Sequence, residues 1–204
     1  MDSVSHTRVA RILLAYIEET CGVTFDNSAF IYGNLKPDLT GTYLTKRHNP
    51  SIMYDEVMDM IRGFTETYTI GTTNGRDLSV DLGVICHYVT DFFTYPHNDD
   101  IYDRSLLAHY IYEKRTSLRI SRRIDARKFE RWVAPVIPPF TVDALITRIG
   151  EMHARYKGET PSIANDMVYI CQITAMVVLS IINIAYESQP ATELPVELPA
   201  AAMA

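Results

Sequence analysis

The chain has 204 residues, 47% of them hydrophobic and 22% charged, which suits one sizeable packed domain and excludes disorder for most of its length. Twenty-five acids against nineteen bases give a formal charge of −6, which argues against general affinity for nucleic-acid phosphates or anionic membranes, local basic patches aside. Residues 1–12 carry Asp2, His6, Arg8 and Arg11 and no apolar run of signal-peptide length, so the expected location is the cytoplasm. Cys21, Cys86 and Cys171 are odd in number and form no C-x-x-C pair; they read as reduced core thiols.

Apolar residues recur at helical spacing and strand-like alternation is hard to find, so the fold class is all-α. The first helix is expected over residues 6–20, with His6 leading the inward face of Val9, Ile12, Leu13, Tyr16 and Ile17, and Gly22 after it. A short helical turn over 28–32 is expected to end at Gly33, and Pro37, Gly41, Asn49 and Pro50 then read as loop punctuation, which places Asp38 in a loop. A helix over 51–64 follows. Residues 78–93 have apolar side chains on two sides, the pattern of a central helix packed all round.

Another helix starts near Asp103 and continues past Glu113. Between Lys114 and Arg131 lie eight basic residues against Asp125 and Glu130, a run that reads as a solvated helix face rather than a phosphate or lipid surface. An amphipathic helix is expected over 142–156. The last helix, 162–187, has no charge between Asp166 and Glu187, but Gln172, Thr174, Ser180 and Asn183 interrupt it and no basic cluster flanks it. It reads as a buried bundle helix, so no stable membrane span is expected. The domain is placed at 1–187, followed by a Pro/Ala/Glu-rich tail at 188–204.

Chemistry concentrates in the histidines. His87 and Asp91 stand at i and i+4 on one face of the central helix, and His109 and Glu113 repeat that spacing on the next. One such pair is ordinary on a helix surface. Two of them, one inside a buried helix, point to metal, because a buried carboxylate is costly unless a cation or hydrogen bonds compensate it, and imidazole and carboxylate together suit zinc.

The segment Leu82-Gly-Val-Ile-Cys-His87-Tyr-Val-Thr-Asp91-Phe-Phe-Thr-Tyr-Pro-His97, followed by His109-x-x-x-Glu113, resembles the signature of the zinc-dependent phospholipase C family, whose fold is that of the secreted bacterial lecithinases. Ser5-His6, Gly33-Asn-Leu-Lys-Pro-Asp38 and His48 stand upstream in the order the family requires. The resemblance implies a helical domain around a zinc cluster: His48, His87 and Asp91, with Asp38 close by, hold one ion, and His97, His109 and Glu113 a second. Asp91 bridges to a third position carried by His6. It further implies a zinc-dependent phosphodiester hydrolase acting on a phospholipid or small phosphodiester, with Asp38 as the residue that orients or deprotonates the attacking water. No specific nucleic-acid partner is implied.

The chain departs from the secreted members in two places. Their amino-terminal Trp, a ligand of the third zinc, has no counterpart here, so that position is completed by Asp2 or the chain terminus, binds weakly, or stays empty. Leu39 stands where choline-phosphate-cleaving members have an aromatic residue, so choline specificity does not carry over; Tyr43, Tyr54, Tyr88 and Tyr95 read as core more than as pocket. His153 matches no family position and reads as a surface or structural residue. A zinc nuclease of the same fold and a non-catalytic zinc-stabilised binding or scaffold protein are the alternatives.

Overall fold

The computed structural model describes residues 1–40, 48–71 and 75–189, so Tyr43 and the tail from Pro190 onward lie outside the described residues. Among these residues there are eight α-helices, one 3-10 turn and no strand. The helices are α1 (Ser3–Cys21), α2 (Asn27–Leu39), α3 (Pro50–Thr67), α4 (Gly75–Phe92), α5 (Leu106–Arg123), α6 (Ala126–Val133), α7 (Val142–Gly158) and α8 (Ile163–Ser188), with the turn Tyr95–His97 between α4 and α5.

Local chemistry sets most boundaries. Asp2, Asp26, Ser105, Asp125, Thr141 and Ser162 each sit at an N-cap and accept the backbone N–H three residues on, satisfying a donor that the helix itself leaves unpaired. Pro50 opens α3 where its missing N–H costs nothing, and Gly22 ends α1 in the left-handed region at φ 68°.

α8 is long and apolar enough to cross a membrane, but its apolar side chains are covered by α1, α3, α4, α5, α6 and α7. It is the helix the others surround, and it shares the centre with α4, whose residues 82–92 are all buried, in line with the central helix expected over 78–93. Asp166 ties this frame together. Its carboxylate accepts the hydroxyls of Tyr112 and Tyr156 at 2.8 Å each and the Tyr95 N–H at 3.3 Å, joining α5, α7 and the 3-10 turn to α8. Burial pushes its carboxyl up to about 6 despite these donors.

Residues 33–39, expected as the start of a loop, are helix instead, while Gly41 lies outside the described residues. α2 continues through Pro37 to Leu39 and lies along α4, its most extensive neighbour. Glycine makes this approach possible: a Cβ on Gly33 would run into the Val80 carbonyl, and one on Gly83 into the Phe30 carbonyl and the Asn34 nitrogen. Gly33 and Pro37, read as helix breakers, are thus a close-packing notch and a tolerated ring whose i−4 carbonyl belongs to that notch glycine. Tertiary packing overrides their local propensity, and Asp38 rides on a helix.

Gly83→Ala should therefore force α2 and α4 apart and lower unfolding free energy by about 1–3 kcal/mol. Gly63→Ala, on the open face of α3 with nothing within 4 Å of the added methyl, should instead raise it by about 0.5–1 kcal/mol. Urea unfolding of both variants checks the pair, and equal effects would contradict this account of the interface.

Candidate metal centre

Five elements and one loop end bring the polar side chains to one place. α1 contributes His6, α2 contributes Asn34 and Asp38, and His48 sits just before α3; α4 contributes His87 and Asp91, the 3-10 turn His97, and α5 His109 and Glu113. All eight residues singled out in the sequence as metal ligands fall into three groups, the first two sharing His87: Asp38, His48, His87; His6, His87, Asp91; and His97, His109, Glu113.

Asp91 is the hub. Its side chain is buried, and its two oxygens face different partners. Oδ2 lies 3.3 Å from His48 Nδ1, 3.4 Å from His87 Nε2 and 3.6 Å from His97 Nδ1. Oδ1 lies 2.6 Å from the Met1 amino group and 3.3 Å from His6 Nε2. Asp38 Oδ1 joins the first side at 3.5 Å from His48 Nδ1 and 3.8 Å from His87 Nε2, while His48 Nδ1 and His87 Nε2 are 3.0 Å apart. In the third group Glu113 Oε1 lies 3.4 Å from His97 Nε2 and 3.2 Å from His109 Nε2. The Met1 amine stands between the groups, 3.0 Å from His97 Nε2 and 3.2 Å from Glu113 Oε1.

These separations fit a metal ion. Four donors at the usual zinc distance of ~2.0 Å from a tetrahedral ion lie about 3.3 Å from one another, and the distances around Asp91 Oδ2 and around Glu113 scatter about that value. The proton inventory agrees. His87 Nδ1 donates to the Asn34 carbonyl at 2.9 Å, and His6 Nδ1 donates to the Asn34 side-chain oxygen at 3.0 Å. In a neutral ring this leaves Nε2 of each as a lone pair. His6 Nε2 and His97 Nδ1 are buried without a hydrogen-bond partner, which is costly for a structure in which nothing else satisfies them.

Electrostatics point the same way. Burial, reinforced by repulsion from His6, holds His87 well below the ordinary imidazole range, so it stays a neutral donor. Burial alone would push the Asp91 carboxyl up, but His97, the Met1 amine, His87 and His6 outweigh it and hold Asp91 ionised, well below the usual carboxylate range. The amine itself is raised to about 10, because Asp91 and Glu113 overcome the cost of its burial. The Met1 ammonium thus pairs with Asp91 Oδ1, while Oδ2 faces nitrogens of His48, His87 and His97, an anionic oxygen among imidazoles that suits a metal cation.

Two residues outside the donor set hold it in shape. Asn34 orients two imidazoles at once, His6 through its side chain and His87 through its backbone, and it stands one helical turn before Asp38 on α2. Asn98 donates to the carbonyls of Phe92 and Thr94 and accepts from His153 Nε2 at 2.7 Å, pinning the corner that presents His97. His153 is thus structural, and buried rather than on the surface. Of the tyrosines considered, Tyr88 is fully buried with its ring edge-on to His48 and His87, Tyr54 stacks on Phe92 and Tyr95 packs against Tyr102 and Tyr112. Asp2 caps α1 and pairs with Lys114 at 3.2 Å, so the terminal amine, not Asp2, is the group near the end of the chain that meets Asp91.

The family model described as zinc-dependent phospholipase C matches residues 5–163, a span that includes all eight donors. No curated protein and no solved structure matches the chain.

Two outcomes test the supporting residues. Asn34→Ala removes the acceptor of the His6 proton and should weaken zinc affinity roughly 10- to 100-fold, measured by competition with a chelator; unchanged affinity would remove Asn34 from the centre. His153 is depressed to about 4 by burial, so between that value and the unfolded value of 6.5 the unfolded chain binds the extra proton and stability falls as pH falls. The stability advantage of the native chain over His153→Gln should therefore shrink by about 2 kcal/mol from pH 7 to pH 5 in paired denaturant titrations.

Proposed function

The chain belongs to the zinc-dependent phospholipase C family, and from that membership and the geometry of the centre we propose that it is a phosphodiester hydrolase that uses zinc and acts on a phospholipid or a related small diester. The observation that carries this reading is the division of Asp91 between two sides, with Asp38, His48 and His87 on one and His6 and the Met1 amine on the other, beside the separate set of His97, His109 and Glu113. On this assignment His48, His87 and Asp91, with Asp38 close by, would hold one ion, His97, His109 and Glu113 a second, and Asp91 Oδ1 with His6 a third position.

Zinc bound in such a cluster polarises the phosphoryl oxygens, acidifies a water and stabilises the leaving alkoxide. The chain's own residues do the rest. Asp91, His87 and His97 are buried and fix the spacing of the donors, whereas His109 and Asp38 are the most open to solvent, with side chains 29% and 27% exposed, and mark the side from which a diester enters. Asp38 combines access with a place beside the first donor group, its Oδ1 3.5 Å from His48 Nδ1, where a carboxylate can accept the proton of a metal-bound water. Its role is to orient the attacking water and take its proton.

Asp38→Asn keeps the shape and removes the base. Turnover of a soluble aryl phosphodiester should fall by about 10² to 10⁴ with most zinc retained. Zinc content falling in step with turnover would make Asp38 a ligand alone, and unchanged turnover would remove it from the mechanism.

A further inference from the structure

The basic run after the metal helix was expected to be a plain solvated face, but the structure shows it sharing that face with large apolar side chains. Leu106 and Leu107 are 87% and 67% exposed, and Tyr110, Ile111 and Leu118 follow along α5. At 100° per residue Leu107, Ile111 and Leu118 fall within about 40° of one another, on the side of α5 opposite His109. Arg115, Arg119 and Arg122 flank this stripe on one side and Lys114 on the other, and together they line a surface groove. Lys114 pairs with Asp2, while Arg115, Arg119, Arg122 and Arg123 form no ion pair among the described residues. The only acid in α5 is Glu113, which is turned inward to the metal centre.

We propose that the outer face of α5 is a docking surface for an anionic phospholipid bilayer. The apolar stripe enters the boundary between headgroups and acyl chains, and the flanking arginines meet lipid phosphates, the division of labour of an amphipathic helix lying in the interface. Charge complementarity selects the partner: the chain as a whole is at −6, so unpaired arginines gathered on one helix are a local attraction to negative surface. The exposed leucines and isoleucine favour lipid over nucleic acid, whose phosphates would gain nothing from them. The stripe lies opposite His109 on the helix that supplies His109 and Glu113, so docking anchors the chain through α5 and leaves that helix between the bilayer and the metal centre. This role deepens the hydrolase reading above and rests on it, whereas binding itself is measured without turnover.

The test is sedimentation of the full zinc-loaded chain with vesicles of equal parts phosphatidylglycerol and phosphatidylcholine, with phosphatidylcholine alone, and with single-stranded DNA as competitor. Binding to the anionic vesicles only, weakened by salt, is expected. Arg119→Gln with Arg122→Gln should lower the partition coefficient roughly thirtyfold, and Leu107→Asn with Ile111→Asn should lower it at least tenfold. Both double variants should keep full turnover of a soluble aryl phosphodiester. Absence of vesicle binding, binding unaffected by the substitutions, displacement by DNA, or loss of a dimer in the leucine variant in place of vesicle binding would overturn the docking surface. Soluble-diester turnover without vesicle binding would sink the docking surface and leave the hydrolase reading standing; vesicle binding without turnover would do the reverse.

Discussion

One carboxylate in the core of a helical bundle sets the terms for the rest of this molecule. Asp91 is buried in the last turn of α4, and an ionised carboxylate without compensation there would cost several kcal/mol. The protein answers with nitrogen from every side: His6 from α1, His48 ahead of α3, His87 from the same helix, His97 from the turn beyond it and the Met1 amine. The Met1 ammonium balances Asp91 at Oδ1, whereas the imidazoles gathered at Oδ2 do not of themselves supply a charge. Their convergence at metal-donor spacing is what makes a bound cation the physical resolution, and folding and ion binding then become linked equilibria.

The arrangement requires helices to come closer than side chains normally allow. Gly33 and Gly83 let the backbones of α2 and α4 meet, and the same contact delivers Asn34 to two imidazoles and Asp38 to the donor set. On the far side, Asp166 gathers Tyr95, Tyr112 and Tyr156 and so fixes the turn and the helix that carry His97, His109 and Glu113. The two halves of the centre thus have separate supports, a glycine notch and a buried carboxylate held by phenols, and Asp91 joins them.

Much of this could be read from the sequence because helical periodicity projects directly onto chemistry. The His87/Asp91 and His109/Glu113 pairs are one turn apart on helices whose apolar pattern is plain, so their shared faces needed no tertiary knowledge. His6, His48, Asp38 and His97 are joined to them only in three dimensions, and family resemblance rather than spacing connected them. Gly33 and Pro37 misled because their local preference for breaking helices was weighed without the α4 backbone they pack against; with the helix lost, the one-turn relation between Asn34 and Asp38 was lost too. His153 and Asn98 carry no motif, being ordinary polar residues whose role depends wholly on the corner they meet. The exposure of Leu106, Leu107 and Ile111 was equally hidden, since an apolar residue on a helix is normally evidence for a buried face.

The centre is predicted to hold one cation at Asp91 and a second beside Glu113. The most direct test is a crystal structure of the zinc-replete chain with anomalous scattering recorded at the zinc edge. Peaks are predicted at the point shared by Asp38, His48, His87 and Asp91 Oδ2 and at the point shared by His97, His109 and Glu113. A map without anomalous density at either point, with these side chains hydrogen-bonded to one another instead, would contradict it.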